Sequence, residues 1–132
     1  VLEQDPVIAD VLALAEKAEL VCFSVGALSH DSVLVESGYL DEADIDALGR
    51  RGAIGDILGH FIDSDGAIAD KDLDERTLGL RPEHLRDKAR ALAVSAGQAK
   101  HAVVLTCLRA GYINVLVTDE ATACYALEHH RG

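Results

Sequence analysis

Large side chains are scarce in this chain. Its 132 residues include no Trp and no Met, and only two Phe and three Tyr. Hydrophobic residues still make up 49% of the sequence, so a core built from it must consist mainly of Ala, Val, Leu and Ile. This composition suits a parallel sheet, whose buried strands read as nearly continuous aliphatic runs covered by helices. The length corresponds to about one domain.

Positive charge is also scarce. The chain has 12 Lys and Arg against 23 Asp and Glu, which gives a formal net charge of −11 at pH 7. Affinity for a nucleic acid depends on Lys and Arg that neutralise backbone phosphates, and no basic cluster offsets the acidic excess locally. We therefore expect no direct contact between this chain and DNA or RNA.

The chain lacks segments that would place it in or across a membrane. No apolar run approaches the roughly 20 residues of a membrane-spanning helix, and no basic-then-apolar leader is present. Cys22, Cys107 and Cys124 lie in apolar segments without metal-site spacing, which predicts reduced core thiols. These features indicate a cytoplasmic protein with no membrane partner. Because the chain starts at Val1 instead of Met, we also expect it to be a piece of a longer protein.

No motif predicts a metal ion or a cofactor. The segment Asp63-Ser64-Asp65-Gly66 lacks the remaining ligands of a calcium loop in register, so it is predicted to be a turn. His129 and His130 have no further ligands at metal spacing.

The hydrophobic pattern predicts alternating helices and strands. Asp5 and Pro6 form an N-cap and a first helical turn, and the apolar face of that helix should comprise Ile8, Val11, Leu12, Ala15 and Ala18. Helices are predicted at residues 6–19, from 41 to about 49–52, 82–89, 97–110 and from 119 onwards. Strands are predicted at residues 21–28, 53–63, 91–96 and 113–117, and the acidic residues 65–75 should form a solvated excursion. Such alternation predicts an α/β fold with a parallel sheet and helices on both faces.

One turn has the features of an anion site. The predicted strand 91–96 runs through Gly97, Gln98, Ala99 and Lys100 directly into a helix. A helix N-terminus presents unpaired backbone N–H groups and a positive dipole end, and both favour phosphate. Lys100 would add a full positive charge, so a phosphorylated small molecule is the first candidate ligand.

Three segments resemble a known family. They are Gly52-Ala-Ile-Gly-Asp-Ile-Leu-Gly-His-Phe-Ile-Asp63, Gly97-Gln-Ala-Lys100 and Leu108-Arg-Ala-Gly-Tyr-Ile-Asn-Val-Leu-Val-Thr-Asp-Glu120 with Thr122-Ala123. In this order and spacing they resemble the C-terminal effector-binding domain of SorC/DeoR-type bacterial sugar-responsive transcriptional regulators. The resemblance covers essentially the whole chain.

The resemblance implies a three-layer sandwich similar to the glucosamine-6-phosphate deaminase, ribose-5-phosphate isomerase and CoA-transferase fold. Residues 1–132 would be the C-terminal part of the effector domain, without its first half and without the helix-turn-helix through which intact members bind DNA. A phosphorylated sugar would bind at the C-terminal ends of the strands. It would change the association of subunits and the affinity for the operator. We expect a homodimer or higher oligomer, because apolar surface would otherwise be exposed.

The resemblance also assigns residues. Gly97, Gln98 and Lys100 would hold the phosphate in an element like the family's GGxxK, although Ala96 replaces the first glycine. Asp56 would accept hydrogen bonds from sugar hydroxyls, and Leu58 and Gly59 would line the same pocket. A buried, unpaired acid between Ile54 and Ile57 would be costly, which independently favours a pocket-facing Asp56.

Other interpretations remain open from the sequence. The same fold hosts isomerases and deaminases, in which Asp56 would be a general base and Lys100 would hold the phosphate. Only His60 is then available as the second acid–base group. A nucleotide-binding Rossmann domain is a weaker alternative, because no predicted strand is followed by GxGxxG. Thr118 or Asp119 should cap the last helix. Asn114 is a candidate to cross-link backbone at a sheet edge or loop, and the sequence leaves its role open.

Overall fold

The computed structural model describes residues 1–130. Its helices are α1 (Pro6–Lys17), α2 (Val33–Glu36), α3 (Glu42–Arg50), α4 (Lys71–Glu75), α5 (Pro82–Leu85), α6 (His101–Arg109) and α7 (Glu120–His129). Its strands are β1 (Leu20–Phe23), β2 (Val25–Ala27), β3 (Ala53–Ile57), β4 (His60–Asp63), β5 (Arg90–Val94) and β6 (Val115–Val117). Short 3₁₀ turns lie at Leu2–Gln4 and Gln98–Lys100.

The strands form two sheets of different type. β1, β5 and β6 pair in parallel in the order β1-β5-β6, and β2, β3 and β4 form an antiparallel sheet in that order. The parallel sheet was predicted, but the antiparallel sheet was not. The predicted strand at residues 21–28 is in fact two strands, because the chain leaves the first sheet after Phe23 and enters the second at Val25.

The prediction of one long strand at residues 53–63 was wrong. β3 and β4 form a hairpin whose turn is Leu58-Gly59, with φ of 55° and 83°. Positive φ at both central residues is the geometry of a tight hairpin turn that matches the twist of its strands. Leu is not a usual residue for the first of these positions. The apolar run therefore concealed the turn from the sequence pattern.

Two clusters of buried side chains hold the elements together. The larger one joins both sheets to α6 through residues that include Ile57, Ile62, Ala93, Val103 and Cys107. The smaller one packs α3 against the hairpin and contains Leu40, Ile45, Leu48, Ala53 and Phe61. Helix α6 lies against β2 and β3 of the antiparallel sheet, against α7 and against the 3₁₀ turn that precedes it.

Most predicted helix boundaries are confirmed by their caps. Asp5 accepts hydrogen bonds from the N–H groups of Val7 and Ile8, and Asp41 forms a capping box with Asp44. Asp119 caps α7 by accepting from the Thr122 N–H. The helix predicted at 82–89 is shorter and ends at Leu85.

Three expectations about exposure need correction. Val11 is exposed and does not belong to the packed face of α1. Together with Val7 and Leu14 it forms an exposed apolar stripe. The acidic segment 65–75 is not wholly solvated, since it contains α4 and the buried Asp74. Of the three free cysteines only Cys107 is buried, whereas Cys22 and Cys124 are exposed.

Asn114 cross-links backbone. Its side-chain oxygen accepts from the Ala91 N–H at 2.8 Å, and its amide nitrogen donates to the carbonyl oxygens of Lys88 and Ala89. These bonds tie the start of β5 to the approach of β6.

Among residues 1–130, no helix is long and apolar enough to cross a membrane.

Candidate functional site

The candidate site lies at the carboxyl ends of two neighbouring parallel strands. Val94 of β5 pairs with Val117 of β6, and both strands end there. An open pocket of about 390 Å³ is lined by the residues that follow them, together with Lys100. Ligands of open α/β sheets commonly bind in such a crevice. The lining residues are Val94, Ser95, Ala96, Lys100, Val117, Thr118 and Asp119.

The turn after β5 has the conformation that the sequence predicted. Gly97 has a φ of 102°, which favours glycine, and the 3₁₀ turn Gln98–Lys100 continues directly into α6. Gln98 and Ala99 are exposed and are the first two residues of this turn, so their N–H groups have no acceptor within it. Lys100 is half-buried and lies in the pocket wall.

Asp119 connects this turn to the last helix. One carboxylate oxygen accepts from the Gly97 N–H at 3.0 Å, and the other accepts from the Thr122 N–H at 2.8 Å. Hydrogen bonds from Thr122 and Gly97 lower the pKa of Asp119, with a smaller contribution from the charge of His101. Because the Gly97 N–H is already donated, the part of the turn that is open to an anion begins at Gln98.

Asp56 lies on the hairpin, opposite Gly26 of β2. A Cβ at Gly26 would lie 2.2 Å from the Asp56 Oδ1, so only glycine leaves room for this carboxyl. The other carboxyl oxygen accepts from the Gly59 N–H at 3.2 Å, which ties Asp56 to the hairpin turn.

Electrostatic interactions and strand contacts relate Asp56 to the turn at Gly97–Lys100. Burial raises the pKa of Asp56, while the Gly59 hydrogen bond and the charges of Lys100 and His60 act in the opposite direction. Strand β2 also lies against the 3₁₀ turn that carries Gln98 and Lys100. The structure thus brings Asp56, Leu58 and Gly59 together on the hairpin, which β2 connects to the turn of Gly97, Gln98 and Lys100. Of these six predicted residues, only Lys100 lines the pocket at the strand ends.

A polar chain, meaning a series of hydrogen-bonded polar side chains, begins at His60, directly after the hairpin turn. His60 is fully buried, and its Nδ1 lies 2.6 Å from an oxygen of Asp74. A carboxylate can only accept, so Nδ1 carries the proton and donates. The second Asp74 oxygen accepts from Arg81 at 2.5 Å, and Arg81 also pairs with Glu83. Sequence reasoning missed this chain, because Asp74 lies within a run of acidic residues that looks solvated.

Several hydroxyl groups near the pocket were also missed. Within residues 1–130, the buried Oγ of Ser95 and the Oγ1 atoms of Thr118 and Thr122 have no hydrogen-bond partner. Ser95 and Thr118 line the pocket, while Thr122 does not. For Ser95 and Thr118, the available sequence signal was their position directly after two aliphatic strands that are adjacent in the sheet.

The described residues contain no group of three or more His, Cys, Asp or Glu arranged to hold a metal ion. The segment 63–66 is a turn, as predicted. Asp63 accepts from the N–H groups of Asp65 and Ala67 through a single carboxylate oxygen.

A comparison with protein families identifies the domain. The model of the Sugar-bind family, which describes a sugar-binding domain, matches residues 1–128. The chain belongs to this family. Regulators of the SorC, DeoR and LsrR type contain this domain, as the resemblance implied.

Similar proteins include bacterial transcriptional regulators. The deoxyribonucleoside regulator of Bacillus subtilis is 32% identical over 122 residues, which cover 92% of this chain and 39% of that protein. The transcriptional regulator LsrR of Escherichia coli is 33% identical over 129 residues, covering 96% of this chain and 41% of LsrR. These relatives are regulators and not enzymes.

Solved structures show the same fold. A DeoR family transcriptional regulator from Listeria monocytogenes matches with a TM-score of 0.89 and 27% identity, over 94% of this chain and 50% of that one. The full-length sorbitol operon regulator SorC from Klebsiella pneumoniae matches with a TM-score of 0.83 and 25% identity, over 95% of this chain and 41% of SorC. The sugar-binding domain described here therefore spans about two fifths of the length of these curated relatives and up to half of the solved chains.

Proposed function

We propose that this sugar-binding domain senses a phosphorylated sugar and reports its presence to a bacterial transcriptional regulator, without converting the sugar. The observation that carries this proposal is the pocket at the carboxyl ends of β5 and β6, whose wall contains Lys100 and beside which the exposed turn with Gln98 and Ala99 leads into α6. Asp56 adds a carboxyl on the neighbouring hairpin, opposite the strand β2 that contacts this turn. A cationic turn suits a phosphate, and a carboxyl suits sugar hydroxyls.

Each predicted residue has a role in this proposal. The ammonium of Lys100 and the N–H groups of Gln98 and Ala99 bind the phosphate, and Gly97 shapes the turn. Asp56 accepts hydrogen bonds from the sugar. Leu58 and Gly59 present backbone to the ligand at the hairpin turn, where Asp56 already holds the Gly59 N–H.

The site favours binding over catalysis. An isomerase or deaminase would need a second acid–base group beside Asp56, and His60 was the candidate. The Nδ1 of His60 is committed to Asp74, and although its Nε2 has no partner among residues 1–130, the fully buried ring does not line the pocket. The regulator names of the relatives agree with a sensor.

The proposal extends to partners. With a net charge of −11 this chain is not suited to bind DNA, so DNA contact would belong to a separate helix-turn-helix. Val7, Val11 and Leu14 form an exposed apolar stripe on α1, which supports burial against another copy or another part of the regulator. The complete effector domain would have the three-layer fold of sugar-phosphate isomerases. A transcriptional regulator acts at the chromosome, so the bacterial cytoplasm is its compartment.

Thermal unfolding against a panel of pentose and hexose phosphates tests the function. The matched controls are the unphosphorylated sugars and inorganic phosphate, and each mixture is analysed for products. A ligand that binds only the folded state stabilises it by about 2.7 kcal/mol at a hundredfold excess over Kd. We expect stabilisation by at least one sugar phosphate, with the sugar recovered unchanged.

Lys100→Gln provides the variant for the same assay. It should abolish the phosphate-dependent stabilisation but leave the melting temperature of the free protein nearly unchanged, because Lys100 lies in the pocket wall and not in the core. Conversion of the sugar would instead support an enzyme. A wild-type protein that is stabilised by no sugar phosphate would refute the proposed function.

A further inference from the structure

Two buried hydroxyl groups at the candidate site have no hydrogen-bond partner among residues 1–130. Ser95 is only 4% exposed, and its Oγ is unpaired, as is the buried Oγ1 of Thr118. Buried polar groups in folded proteins are nearly always paired. Two unpaired donors that line one pocket therefore point to something that binds there.

Both hydroxyl groups lie at corresponding positions on adjacent strands. Val94 pairs with Val117, and the Ser95 N–H donates to the Val117 carbonyl at 3.0 Å, so Ser95 and Thr118 follow the last registered pair. Residues paired across parallel strands share a face of the sheet. The two hydroxyl groups are thus neighbours.

Ser95 lies on the face of the parallel sheet that α6 covers. Along β5 the buried residues alternate, and Ala91 and Ala93 pack in the core with Val103 and Val104 of α6. Ser95 is buried and continues this alternation by one step. Its hydroxyl therefore lies on the side of the sheet from which α6 and the preceding turn arise.

Donors from three segments consequently meet at one pocket. Ser95 follows β5, Thr118 follows β6, and Lys100 lies at the start of α6. Asp119 is the acidic residue in the same lining, and both of its oxygens already accept backbone N–H groups. A tetrahedral phosphate has acceptor oxygens for several such donors at once, unlike a sugar hydroxyl.

We propose that the hydroxyl groups of Ser95 and Thr118 donate hydrogen bonds to the phosphate of the effector and make the site selective for phosphorylated sugars. This inference rests on the proposed function, because it concerns the same pocket. It adds two specificity-determining residues to Lys100 and the turn.

The test compares three substitutions that each replace a hydroxyl by a methyl or hydrogen. Ser95→Ala and Thr118→Val alter the pocket. Thr122→Val is the matched control, because the Thr122 hydroxyl is equally buried and unpaired but does not line the pocket. Calorimetry measures the Kd of inorganic phosphate and of the sugar phosphate that stabilises the wild-type protein most.

Each pocket variant should raise both Kd values about tenfold, which is typical of a hydrogen bond to a charged group. Thr122→Val should leave them unchanged. None of the three should lower the melting temperature of the free protein, because none removes a bond that the free protein makes. Affinity for the unphosphorylated sugar, where measurable, should not change.

Several outcomes would overturn the inference and separate it from the proposed function. If Lys100→Gln loses phosphate binding while Ser95→Ala and Thr118→Val bind as the wild type does, the inference fails and the proposed function stands. A lower melting temperature with unchanged Kd would mean that the hydroxyl groups bond within the protein. If the wild-type protein binds neither phosphate nor any sugar phosphate, the proposed function fails and this inference with it.

Discussion

The candidate site has a hairpin side, formed by β3, β4 and the side chains bonded to them, and a turn side, formed by residues 94–100 and 117–119. The two sides differ in the hydrogen bonding of their buried polar groups. On the hairpin side, Asp74 bonds to both His60 and Arg81, and Asp56 holds the Gly59 N–H, so that each of these side chains makes at least one bond, although the buried Nε2 of His60 has no partner among residues 1–130. On the turn side, the hydroxyl groups of Ser95 and Thr118 have no partner in the described chain. The first arrangement fixes a backbone conformation before any ligand arrives. The second leaves donors available, so under the proposed function the hairpin side would determine the shape of the site and the turn side would determine which ligand binds.

Asp74→Ala should have the largest effect, because it breaks the polar chain on the hairpin side. The buried His60 would lose the acceptor of its Nδ1, and Arg81 would lose one of its two carboxylate partners. Removing one partner of a buried charged pair is strongly destabilising, and since Arg81 is partly exposed we expect a loss of about 3 kcal/mol. Urea unfolding measures this difference in the free energy of unfolding.

Asp72→Ala is the control for that measurement. Asp72 lies on the same short helix but is exposed, so its removal should change the free energy of unfolding by less than about 0.5 kcal/mol. Equal effects of the two substitutions would show that the hairpin side is not held by its polar chain, and the contrast between the two sides would disappear.

Gly26→Ala should have a smaller effect on stability and a clear one on binding. The new methyl group would lie 2.2 Å from the Asp56 Oδ1, so the carboxyl must turn away from it and strain its bond to Gly59. We expect a loss of about 1–2 kcal/mol in the free energy of unfolding and weaker binding of the sugar phosphate. Binding of inorganic phosphate should be unchanged, because that ligand needs only the turn side.

Gly49→Ala is the matched glycine substitution. Gly49 is inside α3, and an added Cβ would make only an ordinary contact of 3.6 Å with Leu28. Helix propensity predicts a gain of up to about 1 kcal/mol, with no change in binding. If Gly26→Ala weakens phosphate binding as much as sugar-phosphate binding, the division of roles between hairpin and turn is wrong.

The sequence predicted the turn side better than the hairpin side, for physical reasons. The positions of Gly97 and Lys100 follow from local backbone geometry, because β5, the turn and α6 are consecutive in the chain. The role of Asp119 as the N-cap of α7 is equally local, whereas its bond to the Gly97 N–H, 22 residues away, was not predicted. The hairpin side depends on contacts between distant residues, such as Asp74 with His60 and Gly26 with Asp56. Leu58 at a positive φ violates the usual turn preferences, so the local pattern indicated a continuous strand. The unpaired hydroxyl groups could not be predicted, since pairing is a property of the folded chain.

The pH dependence of stability offers the finest test, because it asks whether the two sides share one electrostatic environment. Burial raises the pKa of Asp56 above 3.8, its ordinary value. The folded protein then holds this proton more tightly than the unfolded chain does. The contribution of Asp56 to the free energy of unfolding is therefore greatest below about pH 4 and declines as the pH rises through the pKa of the folded state. Asp56→Asn lacks this decline, so its stability relative to the wild type should rise with pH.

Lys100→Gln sharpens this measurement, because the charge of Lys100 lowers the pKa of Asp56. Without that charge the pKa of Asp56 rises further, and the decline in stability should extend to higher pH than in the wild type. The measurement is urea unfolding of Lys100→Gln and of Lys100→Gln with Asp56→Asn, each compared with its counterpart that retains Lys100. An identical pH profile with and without Lys100 would mean that the carboxyl and the ammonium do not act on each other. The electrostatic support for one site shared by the hairpin and the turn would then be lost.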